Sequence, residues 1–170
     1  MKVYLDNNIA SAVAKHDLAP QEMTAVDQLL GMQDAGTVRL ETSRASLREM
    51  ERTQNEKRRR EVIEGLNRLH VVQHDHRVLG FASQSDPYGG LVSYPLVTDV
   101  TDDLIFSELT QMSLDEDDAK HLTNAISGGW EVFLTTDPDF LDLRVQIQMC
   151  FPSIRVMKPS ELLAELKQNV

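Results

Sequence analysis

Two short apolar segments of this 170-residue chain run directly into an aspartate. Residues 3–5 (Val-Tyr-Leu) precede Asp6, and residues 131–136 (Glu-Val-Phe-Leu-Thr-Thr) precede Asp137. Because ligands bind beyond the carboxyl ends of the strands in an open parallel sheet, two adjacent strands of this kind would bring two carboxylates within reach of one ion. An aspartate at the end of a strand also caps the helix that follows it, and each segment taken alone favours that structural role.

A third aspartate, Asp118, is predicted to lie on the inward face of a helix. Leu122, Ala125 and Ile126 follow it at the spacing of one helix face, the face that must meet the sheet. A carboxylate at such a position needs a metal ion, a cationic partner or an opening to solvent, since burying it unpaired is costly. Alternatively, Asp115 caps the helix and the acids after it interact with the helix dipole, which explains why acids collect there but not why one points inward.

Glu49 is a fourth acidic candidate, within a long polar and charged stretch that is predicted to be helical. Arg48 and Arg52 flank it, so its alternative role is a surface ion pair, which contributes little to stability. Spacing alone does not distinguish Glu49 from Glu41 or Glu51.

The elements that must position these acids alternate between strands and helices. Strands are predicted where short apolar runs are bounded by turn residues, at 3–5, 38–40, 71–72, 131–136 and 154–157. Helices are predicted from apolar residues at helical spacing and from start and stop signals, over 20–35, 43–69, 104–112, 115–127 and from 159. This alternation predicts an α/β fold, a three-layer sandwich with a mainly parallel central sheet flanked by helices.

The length suits a single domain over residues 1–170, with a loop or insertion at about 74–101. That segment holds three glycines and two prolines and has no sustained helical or strand period. Long segments of this kind are usually functional or mobile.

Taken together and in order, the acidic segments resemble the PIN-domain family of metal-dependent ribonucleases. The resembling segments are 4–8 (YLDNN), 42–49 (TSRASLRE), 118–125 (DAKHLTNA) and 132–140 (VFLTTDPDF), with a closing strand and helix at 156–163 (VMKPSELL). The apolar strand that ends in Thr-Thr-Asp, with Asp-Phe after it, is the most telling. The resemblance covers most of the chain except about 74–101, and Glu131 stands where the family often has an aspartate.

The resemblance implies an acidic cluster at the carboxyl end of a parallel sheet, in a PIN-like fold. Carried over by motif, the acids expected in catalysis are Asp6, Glu49, Asp118 and Asp137. The expected metal ligands are Asp6, Asp118, Asp137 and Asp139, with Asn8 and Thr135 in support. Carboxylates without nearby His or Cys ligands suit Mg²⁺ or Mn²⁺. The activity implied is that of a metal-dependent endoribonuclease, which hydrolyses RNA phosphodiester bonds.

Many small bacterial proteins of this family are toxins of toxin–antitoxin pairs, so the resemblance also implies an antitoxin protein as partner and a homodimer. The alternative is a catalytically degenerate PIN-like module that binds RNA or protein. A degenerate member should have lost one or more of the acids, whereas this chain retains four.

The net charge of −10 excludes RNA binding over most of the surface. It is unevenly distributed, because residues 44–60 hold seven Lys or Arg and three acids, while residues 99–118 hold eight acids and no Lys or Arg. The basic stretch predicts a local RNA contact through Arg52, Lys57, Arg58, Arg59 and Arg60. A solvated helix face is an equally good interpretation of these charges.

Two other features offer chemistry of a different class. His70, His74 and His76 would suit zinc, but no cysteine is near them and their spacing matches no common zinc site. Cys150 has no histidine close to it in sequence, which favours a buried core thiol over a nucleophile. A single cysteine forms no disulfide within the chain, and the sequence shows no signal peptide or membrane span, so a cytoplasmic protein without membrane contact is expected.

Overall fold

The computed structural model describes residues 1–43, 70–72, 78–85, 91–98 and 102–168 of the chain. The helix predicted over 43–69 lies outside these residues except at Ser43, which ends a strand instead. His74 and His76 of the zinc alternative also lie outside them.

The described strands form one parallel sheet and a separate hairpin. The strands are β1 (Lys2–Leu5), β2 (Arg39–Ser43), β3 (His70–Val72), β4 (Val78–Ser85), β5 (Leu91–Thr98), β6 (Val132–Leu134) and β7 (Arg155–Met157). The parallel sheet has the order β3–β2–β1–β6–β7, so the strand that precedes Asp6 is its centre. All five strands predicted from apolar runs belong to this sheet.

Helices cover both faces of the parallel sheet. The described helices are α1 (Asn7–Lys15), α2 (Pro20–Asp34), α3 (Asp103–Gln111), α4 (Glu116–Ser127), α5 (Pro138–Cys150) and α6 (Pro159–Gln168). Val3 and Leu5 of β1 belong to a core with α1, α2 and α6, whereas Tyr4 between them belongs to a core with α3, α4 and α5. Because successive side chains of a strand point to opposite faces, this division confirms the three-layer α/β sandwich.

Local sequence signals account for the ends of α4. The Asp115 side chain accepts a hydrogen bond from the Asp118 N–H, as a capping residue does, and the helix stops at Gly128. Gly128 is required by packing, because a Cβ there would lie 1.7 Å from the Trp130 ring. The next residue, Gly129, has a φ of +71°, which glycine adopts without strain.

Helix α5 was not predicted, and its sequence explains why. From Leu141 to Met149 apolar residues occupy every second position, which is the period of a strand. The structure buries Phe140 and Ile147, two helical turns apart, and leaves Val145 66% and Met149 78% exposed. Cys150 at the end of this helix is exposed, so the prediction of a buried core thiol is wrong.

The segment predicted to be a loop or insertion contains regular structure. Strands β4 and β5 pair antiparallel from Val78 opposite Thr98 to Ser85 opposite Leu91. The glycines and prolines of this segment argue against strands in its sequence, yet Pro95 pairs with Phe81 inside the hairpin. In a two-stranded ladder each strand has an open edge, where the missing N–H of proline is tolerated. At these residues the structure contradicts a loop, whereas the alternative of an insertion stays a prediction.

Candidate metal centre

The end of β1 and the end of β6 meet at one edge of the sheet. Leu5 pairs with Leu134 in parallel register, and the Asp6 N–H donates to the Leu134 carbonyl oxygen at 3.0 Å. Asp6 and Thr135 therefore follow neighbouring strands at the same level. This is the edge at which open parallel sheets bind their ligands.

Asp6 is both a helix cap and a buried acid. Its Oδ1 accepts the Asn7 N–H at 2.7 Å at the start of α1, and its Oδ2 accepts the Thr135 hydroxyl at 2.7 Å. The residue is 4% exposed. Burial raises the pKa of Asp6 above its ordinary value, and the Thr135 hydrogen bond opposes that rise. The two roles that the sequence offers for this aspartate, capping the next helix and binding an ion, are therefore compatible.

Thr135 joins three of the residues predicted to form the site. Besides donating to Asp6, its Oγ1 accepts from Asn8 Nδ2 at 3.2 Å and from the Asp137 N–H at 3.0 Å. One hydroxyl has one proton and two lone pairs, so Thr135 uses its full hydrogen-bonding capacity here. The Asn8 Oδ1 beside it is buried and has no hydrogen-bond partner among the described residues.

Asp137 caps α5 and lies half-buried beside the same edge. Its Oδ1 accepts the Asp139 N–H at 3.0 Å. Asp139, the additional metal ligand expected from the resemblance, is exposed in the first turn of α5. The contact of Asp139 with the neighbouring acid is made by its backbone N–H.

Asp118 is the third acid of this group and lies on α4. It is half-buried in the first turn of α4, one turn before the fully buried Leu122. Burial raises the pKa of Asp118 to about 7, and repulsion from Asp115, Asp6 and Asp137 adds to the rise. We call Asp6, Asp118 and Asp137 the acidic cluster, because each of the other two destabilises the charged form of Asp118.

Sequence reasoning missed the interactions of His121. It is 2% exposed on α4, where its ring nitrogens meet the Tyr4 hydroxyl at 3.0 Å and Asn7 Nδ2 at 3.1 Å. The one available signal was its position three residues after Asp118, which places the two on one helix face. Nothing in the sequence pattern singled out Asn7 or Tyr4 as its partners.

Glu41, an alternative to Glu49 as the fourth acid, is engaged elsewhere. It is 2% exposed on β2, its Oε2 accepts the Trp130 indole N–H at 2.8 Å, and Arg39 forms an ion pair with it. These contacts give Glu41 a structural role in the core. Glu49 and Glu51 lie outside the described residues, and so do Arg52, Lys57, Arg58, Arg59 and Arg60.

The donors of the acidic cluster fit a hard cation. Within the described ranges, no three His, Cys, Asp or Glu side chains form a ready metal cage. Mg²⁺ does not need one, because it usually binds through one or two carboxylates and keeps several waters. Burial and mutual repulsion disfavour the charged form of these carboxylates, which a divalent ion would stabilise. The Asn8 amide oxygen, which has no hydrogen-bond partner among the described residues, is a further oxygen donor near Thr135.

No helix in the described part of the chain is long and apolar enough to cross a membrane.

The chain matches no protein-family model and no curated protein. Among solved structures it is similar to a chain in the crystal structure of VapBC2 from Rickettsia felis bound to a DNA fragment from their promoter. The TM-score is 0.54 at 18% sequence identity, and the match covers 93% of this chain and 98% of that chain. At this identity the similarity concerns the fold, and the chain has the α/β, PIN-like fold that its sequence predicts.

Proposed function

We propose that this protein is a metal-dependent endoribonuclease that hydrolyses RNA phosphodiester bonds at the acidic cluster, with Mg²⁺ or Mn²⁺ as cofactor. The observation that carries the proposal is the convergence of Asp6, Asp118 and Asp137 at the carboxyl edge of a parallel sheet. We propose Glu49 as a further catalytic acid, on the resemblance alone.

The acidic cluster would hold the ion, which when bound lowers the pKa of a coordinated water and offsets charge on the phosphate. Thr135 and the Asn7 N–H fix the orientation of the Asp6 carboxylate, and both leave it further lone pairs. Asp118, with a pKa of about 7, keeps its proton part of the time at neutral pH. A cation beside Asp118 would favour the charged, ligating form.

Cleavage of RNA with and without added Mg²⁺ or Mn²⁺ tests this proposal. We expect Asp6→Asn and Asp118→Asn to lose activity, since each removes a ligand charge from the cluster. Asp117→Asn is the matched control, because Asp117 is exposed in the same helical turn and pairs with Lys120 at 3.0 Å. Full activity in both cluster variants, or cleavage that ignores divalent ions, would refute the proposal.

We further propose that the protein is the toxin of a toxin–antitoxin pair and forms a homodimer. The fold similarity to a chain of VapBC2 supports this extension. Expression of the wild-type chain should arrest growth, the product of a neighbouring gene should relieve the arrest, and Asp118→Asn should be harmless. Normal growth of cells that express active wild-type enzyme would contradict the toxin role. A molecular mass of one chain in analytical sedimentation would contradict the homodimer.

A non-catalytic binding module is the second candidate. The observation in its favour is that the described residues hold no ready three-ligand metal cage. Such a module would bind RNA or protein without cleavage, and its binding would be insensitive to chelation of divalent ions. RNA binding that persists in EDTA, without cleavage when Mn²⁺ is restored, would favour it over the nuclease.

A further inference from the structure

A buried histidine ties together two elements that carry the acidic cluster. His121 Nδ1 lies 3.0 Å from the Tyr4 hydroxyl oxygen, and its Nε2 lies 3.1 Å from Asn7 Nδ2. The two ring nitrogens of one imidazole thus reach both partners.

The two partners of this histidine flank Asp6 in sequence. Tyr4 is two residues before it on β1, and Asn7 follows it directly as the first residue of α1. His121 itself lies one turn after Asp118 on α4. The hydrogen bonds therefore connect the segment that carries one acid to the helix that carries the other.

The Tyr4 end of this connection is buried and packed between aromatic rings. The Tyr4 ring stacks on Phe133 with ring centroids 5.4 Å apart and meets the edge of Trp130 at the same distance. Buried apolar side chains of α4 such as Leu122 and Ala125 also pack in this core. Apolar packing has little directionality, whereas hydrogen bonds fix distance and angle.

We propose that His121 is a positioning residue, which sets the separation of the Asp6 and Asp118 carboxylates through its hydrogen bonds to Tyr4 and Asn7. The inference rests on the proposed metal centre, because that separation matters only if the two acids share an ion. Outer residues that orient metal ligands affect metal affinity without touching the ion. His121 acts in this way through the backbone segments that carry the ligands.

An ordinary structural role would also account for a buried, hydrogen-bonded histidine. The two roles differ in what their removal changes. Loss of a structural contact lowers the stability of the fold, whereas loss of a positioning contact weakens metal binding in chains that are still folded. The test must therefore measure metal affinity and stability in the same variants.

Mn²⁺ titration of the full chain by calorimetry, alongside urea unfolding, separates these roles. Tyr4→Phe removes only the hydroxyl and keeps the stacked ring, and His121→Leu removes both hydrogen bonds. Thr123→Val is the control on the same helix, because the Thr123 hydroxyl is buried without a partner among the described residues. Leu30→Ala is the control for stability, since Leu30 is buried in the core on the other face of the sheet and its truncation leaves a cavity.

We expect His121→Leu and Tyr4→Phe to weaken Mn²⁺ binding, by about tenfold for His121→Leu. Thr123→Val and Leu30→Ala should bind Mn²⁺ as the wild type does, although Leu30→Ala unfolds more readily. His121→Gln places an amide near the position of Nε2, so it should recover part of the affinity through Asn7. Tyr4→Phe remains decisive if His121→Leu does not fold.

The experiment distinguishes failure of this inference from failure of the proposed function. Wild-type chain that binds no Mn²⁺ overturns both. Wild-type binding that is lost in Asp118→Asn but unchanged in Tyr4→Phe and His121→Leu overturns the positioning role alone. A loss of affinity in Leu30→Ala as large as that in His121→Leu also overturns it, because affinity would then follow overall stability.

Discussion

Thr135 donates its hydroxyl proton to Asp6 Oδ2 at 2.7 Å, from the end of β6 to the end of β1. The same hydroxyl oxygen accepts from Asn8 and from the Asp137 backbone, so one buried atom fixes three positions at the edge of the sheet. The positions of Asp6 and Asp137, two of the three acids of the acidic cluster, therefore depend on a neutral residue that carries no charge to the ion.

Thr135→Val should destabilise the fold by about 1–3 kcal/mol, because the isosteric change leaves Asp6 Oδ2 and two donors without their partner. Urea unfolding measures the change. Thr123→Val is the control, since it replaces an equally buried hydroxyl that has no partner among the described residues and should be neutral or stabilising. Equal effects of the two substitutions would contradict the role given to Thr135.

Stability should fall as pH rises through the titration range of Asp118. Its pKa is raised to about 7 from 3.8, so between these values the native state keeps a proton that the unfolded chain has lost. The cost in stability of ionising Asp118 in the folded state is absent below pH 3.8 and complete above about pH 7. Asp118→Asn cannot ionise, so its advantage in free energy of unfolding over the wild type should grow with pH.

Urea unfolding of both proteins in EDTA, at about pH 4.5 and about pH 7.5, measures this difference. EDTA keeps divalent ions away from the cluster, and added Mg²⁺ should shrink the difference at the higher pH by favouring the charged form of Asp118. An advantage of Asp118→Asn that is the same at both pH values would argue against a raised pKa.

Gly128→Ala should destabilise the protein by about 1–3 kcal/mol, the usual range for overpacking a core. The added Cβ would lie 1.7 Å from the Trp130 ring, so the ring must move and its hydrogen bond to Glu41 is disturbed. Gly31→Ala is the matched control, because nothing lies within 4 Å of a Cβ on that helical glycine, and it should gain about 0.5–1 kcal/mol. Thermal unfolding of the two variants should shift in opposite directions, and a shift in the same direction would contradict the close approach at Gly128.

The basic stretch at 44–60 should govern the salt dependence of RNA binding. Replacing Arg58, Arg59 and Arg60 with Gln should reduce the slope of log affinity against log salt by about two, if each contacts one phosphate of single-stranded RNA. Arg144→Gln is the control, since Arg144 pairs with Glu161 at 3.1 Å on α6. An unchanged slope in the triple variant would favour the solvated helix face.

Strand positions and the acids that follow them were accessible from the sequence. A buried strand that ends in aspartate carries its own signal, because the apolar run and the polar stop are contiguous, as at Leu5 and Asp6. The inward position of Asp118 was also visible, since helical spacing relates it to Leu122. The order of strands and helices in the sequence therefore indicated the edge of the sheet at which the carboxylates lie.

Relationships between distant side chains were not accessible in this way. The contact of Tyr4 with His121 joins residues 117 positions apart, and no local period encodes it. Helix α5 was missed because its apolar residues have the spacing of a strand, and only the packed sheet selects Phe140 and Ile147 for burial. The hydrogen bond from the Trp130 indole N–H to buried Glu41 also joins residues that are far apart in sequence.

The most direct test of the central claim is the position of a bound divalent ion. A crystal of the full chain soaked in Mn²⁺ gives that position from the anomalous signal of manganese. We predict one or two peaks between Asp6, Asp118 and Asp137, and none in crystals of Asp118→Asn treated in the same way. Wild-type crystals that show anomalous peaks elsewhere but none at the acidic cluster would contradict the proposed metal centre.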